Sequence, residues 1–368
     1  MGWFARKSAP AFLGPIPAML ERQVEAFPRS YQERLTEVYV RNPVGQRAVR
    51  LVAGATASLP IYVKKGRARA GALITRPELL ENVAAHLLLH GNAYLQTVSG
   101  ARGLVELFPL SPERVSVVAN ERGWPSAYVY RAGGKTLRID ARDALARRQI
   151  IHLKALNPGG SQLGLGCLDA AIAAASVHNR ATRWNKALLD NSARPSGALL
   201  YEPGDGSNLT TDQMGRLRDE LDRQFSGSDN AGRPMLLEGG LKWQAMSLSP
   251  AEMDFIALRE AAARDVALAF GVPPALLGLP GDSTYANLRE AGRALYRQTV
   301  LPLAKRILDG VADVVSDWLG DVELAVDVDQ ISELAEDRER LWSQVEAANF
   351  LSRAEKRDLL GFGKGELE

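Results

Sequence analysis

Hydrophobic and polar positions change period several times along the 368 residues. Residues 30–57 carry apolar residues at helical spacing, with a break at Asn42-Pro43, because proline lacks the N–H that a helix interior needs. "LPIYVKK" is a short strand. Thr75 with Glu78 forms a capping box and opens a helix that ends near Gly91. Strand-like runs follow: "NAYLQTV", "LVELFPL", "RVSVVA", "AYVYRA" and "RQIIHLKAL", punctuated by turns such as Gly133-Gly134. Residues 1–163 thus read as α/β.

Residues 165–191 are Ala-rich, with no internal Gly or Pro beyond their start, and read as one long helix. Its small side chains lie on several faces and suit close packing against more than one neighbour. Residues 193–248 form a small βαββ module. "SGALLY" is its first strand, Thr210 and Gln213 cap a helix with the stripe Met214, Leu217, Leu221 and Phe225, and "PMLLE", Gly239-Gly240 and "LKWQAMS" form a hairpin. Such a module is too small for a core of its own and leans on another chain.

Ser249, Pro250 and Glu252 start a helix that runs to Phe270. The Pro273-Pro274 pair stops it, and "LLGLPGD" follows before Ser283 or Thr284 caps the next helix. That helix spans 285–319 with a kink at Pro302. An acidic helical tail closes the chain, its last helix opened by Ser352 and Glu355 before Gly361. There is no internal repeat and no low-complexity tract.

Composition makes the chain globular, at 46% hydrophobic and 24% charged residues. A single cysteine, Cys167, excludes an internal disulfide and favours a reducing compartment. No apolar run reaches membrane-spanning length, and Pro10, Pro15 and Pro17 break any signal-peptide core. Arg6 stands where a myristoylation pattern needs Ser or Thr. A soluble intracellular protein is expected. The net charge of +2 hides an asymmetry: residues 1–163 carry 23 Lys/Arg against 11 Asp/Glu, the remainder 22 against 32. The basic half suits nucleic acid or an acidic partner, and the acidic half should not grip phosphates.

Catalytic patterns fail in turn. "GGKT" at 133–136 ends like a phosphate loop, but Val129 stands where the leading glycine belongs. No G-x-G-x-x-G follows a strand, and "GGSQL" misses the serine-hydrolase elbow. His86 and His90 have a metal-ligand spacing without a third ligand nearby, so no metal and no cofactor are expected. Cys167 sits on a packing helix rather than in a nucleophile's setting, and Asp282-Ser283 reads as helix capping rather than catalysis. No catalytic residue is assigned and the chain does not read as an enzyme.

The order of parts, with the stretches "LLLHGNAYLQ" (87–96), "LFPLSPERV" (107–115), "IIHLKALNPGGSQLGLGCLDAA" (150–171) and "AFGVPPALLGLPGDSTYANLREAGRALYRQTVLPL" (269–303), resembles the tailed-phage portal protein family. Gene transfer agents use portals of this kind too, and the compact length fits one. The resemblance covers about residues 30–320 and implies an α+β fold. An α/β wing would span 1–163, stem helices 164–192 and 249–270, the clip 193–248 and a tunnel loop 271–284. A kinked wing helix would span 285–320, and a small helical crown 321–368.

The same resemblance implies a homo-oligomeric ring, a dodecamer, at one capsid vertex, through which double-stranded DNA is packaged and ejected. Its partners would be the terminase large subunit, the major capsid protein and a head-completion or adaptor protein, without a membrane. Its place would be a virion or phage-like particle assembled in the host cytoplasm. On this mapping Leu276, Leu277, Leu279, Pro280, Gly281, Asp282 and Ser283 form the channel loop. Arg216, Arg218, Arg223, Lys242 and Trp243 lie on the docking clip, and Ala170, Ala171, Ala174 and Ala175 give the stem its subunit packing, against stem helices of their own or the next chain. Two rival readings are a generic DNA-binding scaffold, resting on the basic half, and a nucleotide-dependent hydrolase, for which the phosphate loop is missing.

Overall fold

The computed structural model describes residues 28, 30–101, 103–159, 162–190, 197–202, 210–225, 241–245, 255–280 and 284–360. The first helix, α1 (Tyr31–Leu35), starts at a Ser30–Glu33 capping box and passes directly into a π-helical turn at Thr36–Val40, closed by Arg41 N–H donating to Thr36 O. Asn42 then caps α2 (Pro43–Ala57): its Oδ1 accepts from Gly45 N, and Pro43 sits where no intrahelical N–H is needed. β1 (Ile61–Lys65), α3 (Ala68–Ile74) and α4 (Pro77–Leu89) follow. Thr75 does not open α4. It is the C-cap of α3, whose short apolar run ends there, and α4 starts at Arg76 and Pro77 with no side-chain cap.

The strands β2 (Asn92–Gly100), β3 (Gly103–Leu110), β4 (Val115–Ala119), β5 (Pro125–Ala132), β6 (Lys135–Asp140) and β7 (Ile150–Lys154) make two antiparallel sheets, ordered β3-β2-β7 and β4-β5-β6. β6 completes the Gly133-Gly134 hairpin, a strand that the polar pattern "KTLRID" does not announce. The pairing is antiparallel throughout, so this half is α+β in build rather than a doubly wound α/β layer.

The long helix is α5 (Leu168–Asp190). β8 (Gly197–Tyr201), α6 (Thr211–Phe225) and β9 (Leu241–Ala245) come next, with β8 and β9 paired antiparallel. Thr210 and Gln213 form the expected reciprocal cap. "PMLLE", the Gly239-Gly240 turn and the Ser249-Pro250 start lie outside the described residues, as does the N-terminal segment before Pro28. α7 (Phe255–Ala269), α8 (Tyr285–Leu295) and α9 (Leu301–Leu319) carry the rest of the body. The irregularity expected at Pro302 falls just ahead of it, as a second π-helical turn at Tyr296–Val300.

The tail is not wholly helical. β10 (Glu323–Val326) pairs antiparallel with β1 before α10 (Ala335–Ala347) and α11 (Arg353–Leu359), the latter capped by Ser352 and Glu355 as expected. Among the described residues two large apolar cores hold the body, with a smaller third around Tyr94, Leu110, Tyr128, Ile139 and Ile150 between the two three-stranded sheets. One large core gathers α3, α4, β2, β3, β7 and α9, around Ile307, Leu308, Val311 and Val315. The other gathers α2, α5 and α7 with the segments flanking α8 and α10, around Val49, Val52, Val266 and Phe270.

Candidate functional site

The site is built where α5, α7 and the turn after α7 meet. Its foundation is the root of α5. Gly91, at φ 79°, turns α4 into β2, and the chain before α5 is laid directly on that turn. Ala155 N donates to Gly91 O (2.8 Å), Cys167 N to Leu88 O (2.7 Å), and a Cβ on Gly164 would come within 2.0 Å of Gly91 O. Buried Asn92 bolts the two segments together: its Nδ2 donates to Gly164 O (3.0 Å) and its Oδ1 accepts from Gly164 N (2.7 Å). The same Oδ1 accepts from His152 Nε2 (3.1 Å), and that ring stacks on Tyr94. Two of the sequence stretches that carried the resemblance thus meet at this joint.

Burial pushes His86 down to about 4 and His152 to about 3, so both are neutral at physiological pH, and it pushes the Cys167 thiol up. Among the described residues no group of three His, Cys, Asp or Glu side chains could hold a metal.

From this root α5 packs along α7. Ala171 and Ala175 are fully buried against it with Ala263 and Val266, where small side chains allow close backbones. Ala174 is half-buried and Ala170 is exposed. α7 ends at Gly271, whose φ of 65° only glycine adopts readily; Val272 N donates to Ala267 O, and Thr299 Oγ1 donates to Gly271 O (2.6 Å). A 3₁₀ turn, Pro274–Leu277, follows and stops at left-handed Gly278. Leu276, Leu277 and Leu279 are half-buried on the core shared by α5 and α7, so the loop is partly folded back on its own chain. Pro280 is exposed, and its carbonyl accepts from Arg264. Gly281, Asp282 and Ser283 lie outside the described residues; Thr284 Oγ1 then caps α8 by accepting from Asn287 N.

A cleft of about 540 Å³ opens between the Thr36–Val40 turn, α5, α7 and the Leu279–Pro280 lip. Asn42 donates from Nδ2 to Asn179 Oδ1 (3.0 Å), and Asn179 donates to Glu37 O (2.9 Å), with His178 beside them. Burial lowers the His178 pKa. Arg41, Arg183 and Arg259 line the cleft against Glu37 and Glu260. These arginines escaped the sequence reading, because the acidic balance of residues 164–368 hides a locally basic spot. The signal available was Arg183 and Arg259 on the two helices already paired.

The clip candidates stand on α6 and β9. Arg216 and Lys242 are exposed, Lys242 pairing with Glu202 at 2.7 Å; Arg218 and Arg223 lie on α6 and Trp243 on β9, opposite Leu199 in the register, with side chains outside the described set. No helix among the described residues is long and apolar enough to cross a membrane.

Comparison with known proteins places this architecture. The family described as "Phage portal protein" matches residues 43–361. An uncharacterized protein of Rickettsia bellii is 38% identical over 349 residues, 89% of this chain and 88% of that one. A chain in the solved virion of a native gene transfer agent particle is 44% identical, with a TM-score of 0.70, covering 92% of this chain and 94% of that one. The neck of the native particle, in C12 symmetry, matches with a TM-score of 0.69 at 44% identity, covering 92% and 95%. The family is one of structural proteins rather than enzymes, and with most of its length matched, this chain belongs to the phage portal protein family.

Proposed function

We propose that this chain is the subunit of a twelve-membered ring at one vertex of a phage-like or gene-transfer-agent particle, forming a channel for double-stranded DNA. The observation that carries the reading is the 44% identity, over nine-tenths of both chains, to a chain in a particle neck of C12 symmetry. On this reading 1–163 is the wing, α5 and α7 are the stem, 193–248 is the clip and 271–284 is the tunnel loop. The 285–320 helix crosses the wing, and 321–368 is a small crown.

The local physics fits those roles. Ala170 and Leu268, the latter 77% exposed, give the outer faces of α5 and α7 surface that a neighbouring stem would bury. Gly271 and Pro273-Pro274 fix the exit of the loop, and its leucines anchor it while Pro280 is exposed. Arg216 and Lys242 give the clip a charged face for the terminase large subunit and, later, a head-completion protein. The wing would contact the major capsid protein.

Light scattering and negative-stain imaging of the purified chain test the proposal. Twelve copies of a 39.9 kDa chain should give a particle of about 480 kDa with a central hole. A stable monomer at micromolar concentration, with no ring in the images, would overturn it.

A further inference from the structure

The face of α8 and the π-helical turn after it carries Arg289, Arg293 and Arg297, four residues apart, a row of about 12 Å at the rise of a helix. α10 lies across it. Arg289 pairs with Glu336, Arg293 donates to Glu336 (2.6 Å) and to Glu290 (2.9 Å), and Arg297 pairs with Asp337. Arg293 is 9% exposed. Its Nε stands 3.5 Å from Asp337 Oδ2, and both atoms are buried without a hydrogen bond, so this pair is held by charge rather than by directed bonding.

Apolar burial adds little to this hold: Val345 is the one buried residue of α10, beside the ion pair of Arg338 with Asp329 and the bond from Lys356 Nζ to Glu346 O (2.9 Å). Beside the row a cleft of about 440 Å³ is lined by Leu301, Leu341, Arg338 and Arg340. Lifting α10 would uncover Arg293 and strip the already exposed Arg289 and Arg297 of their carboxylates, leaving Glu290 alone among the carboxylates that pair with the row.

We propose that the Arg289–Arg293–Arg297 row is a phosphate-backbone site for double-stranded DNA, masked by Glu336 and Asp337 of α10, so that DNA and α10 compete for it. The spacing favours this ligand: one DNA strand presents a phosphate per 3.4 Å of axis, so a row of about 12 Å meets three or four of them. The two carboxylates already stand where phosphate oxygens would. The inference rests on the DNA-conduit reading for its ligand, although the mask itself needs only one chain.

The test is anisotropy of a labelled 30-base-pair duplex against the full-length protein over a series of salt concentrations. Glu336→Gln/Asp337→Asn should raise affinity about tenfold at low salt and steepen the log K against log salt slope by about 2 to 3, at roughly 0.9 per phosphate contact. Adding Arg289→Gln/Arg297→Gln should abolish the gain. An unmasked variant that binds no tighter, or a gain that survives loss of the two arginines, would overturn the proposal.

A second measurement needs no substitution: saturating duplex should increase hydrogen exchange across α10 in the unaltered chain, and unchanged or slower exchange would equally sink the idea. Loss of ring mass in the imaging experiment speaks against the ring alone, since both readouts work on a monomer.

Discussion

Helix α5 joins the body through backbone and a buried amide: a glycine pair in contact, Asn92 bonded on both sides of its carboxamide, and the His152 ring bonded to it. Helix α10 joins it through arginines and carboxylates that are mostly half-exposed, with one buried apolar residue. The first joint has a single geometry that closes. The second is a sum of charge attractions, screened by salt at exposed Arg289 and Arg297 and less so at buried Arg293. A chain that must hold one helix fixed and let another shift would divide its contacts in this way.

The contrast can be broken most sharply at Gly164. Gly164→Ala puts a methyl 2.0 Å from Gly91 O and 2.6 Å from Ala155 N, both backbone atoms with nowhere to go. A destabilisation on the order of 3 kcal/mol is expected in denaturant unfolding, unchanged between low and high salt. A cost that shrank with salt would mean that the joint is electrostatic after all.

Acid should act on the same joint. Unfolded, a histidine titrates near 6.5; folded, burial holds His86 at about 4 and His152 at about 3. The unfolded chain therefore binds more protons in this window. Stability is fully present above about pH 6.5 and is lost as pH falls, by about 1.4 kcal/mol per pH unit for each group. Melting temperatures should be flat above pH 7 and drop between pH 6 and 4.5, with a shallower drop in His152→Gln. Equal slopes in the two proteins would remove His152 from this account.

The smallest effect belongs to the other joint. Arg297→Gln breaks a pair whose arginine is 56% exposed, so about 0.5 kcal/mol is expected. The difference should vanish in high salt, and its persistence there would sharpen the latch into something more than charge.

Much of this was legible before any coordinates. The Ala-rich run gives α5, Asn42-Pro43 gives the cap of α2, and the Thr210–Gln213 and Ser352–Glu355 pairs cap the helices expected of them. Thr75–Glu78 fits the same pattern and fails, because α3 reaches Thr75 first. β10 escaped because its reason for being a strand is β1, far back in the chain. The resemblance assigns the loop leucines to the channel loop, but their burial depends on a core assembled from α2, α5 and α7, which no local window contains. The Arg41–Arg183–Arg259 cleft was invisible for a related cause: its residues come from three elements, and the charge balance of the half that carries two of them points the other way.

The β1–β10 pairing sets an order on synthesis. Ile61–Lys65 leaves the ribosome about 260 residues before Glu323–Val326, a delay of roughly 13–52 s at ordinary translation speeds. Throughout that interval β1 has an unpaired edge. Its exposed lysines, Lys64 and Lys65, which later face Glu323 and Asp321, supply the charge that discourages a passing strand from docking there first. Nascent chains halted before residue 320 should therefore aggregate more readily once both lysines are neutralised.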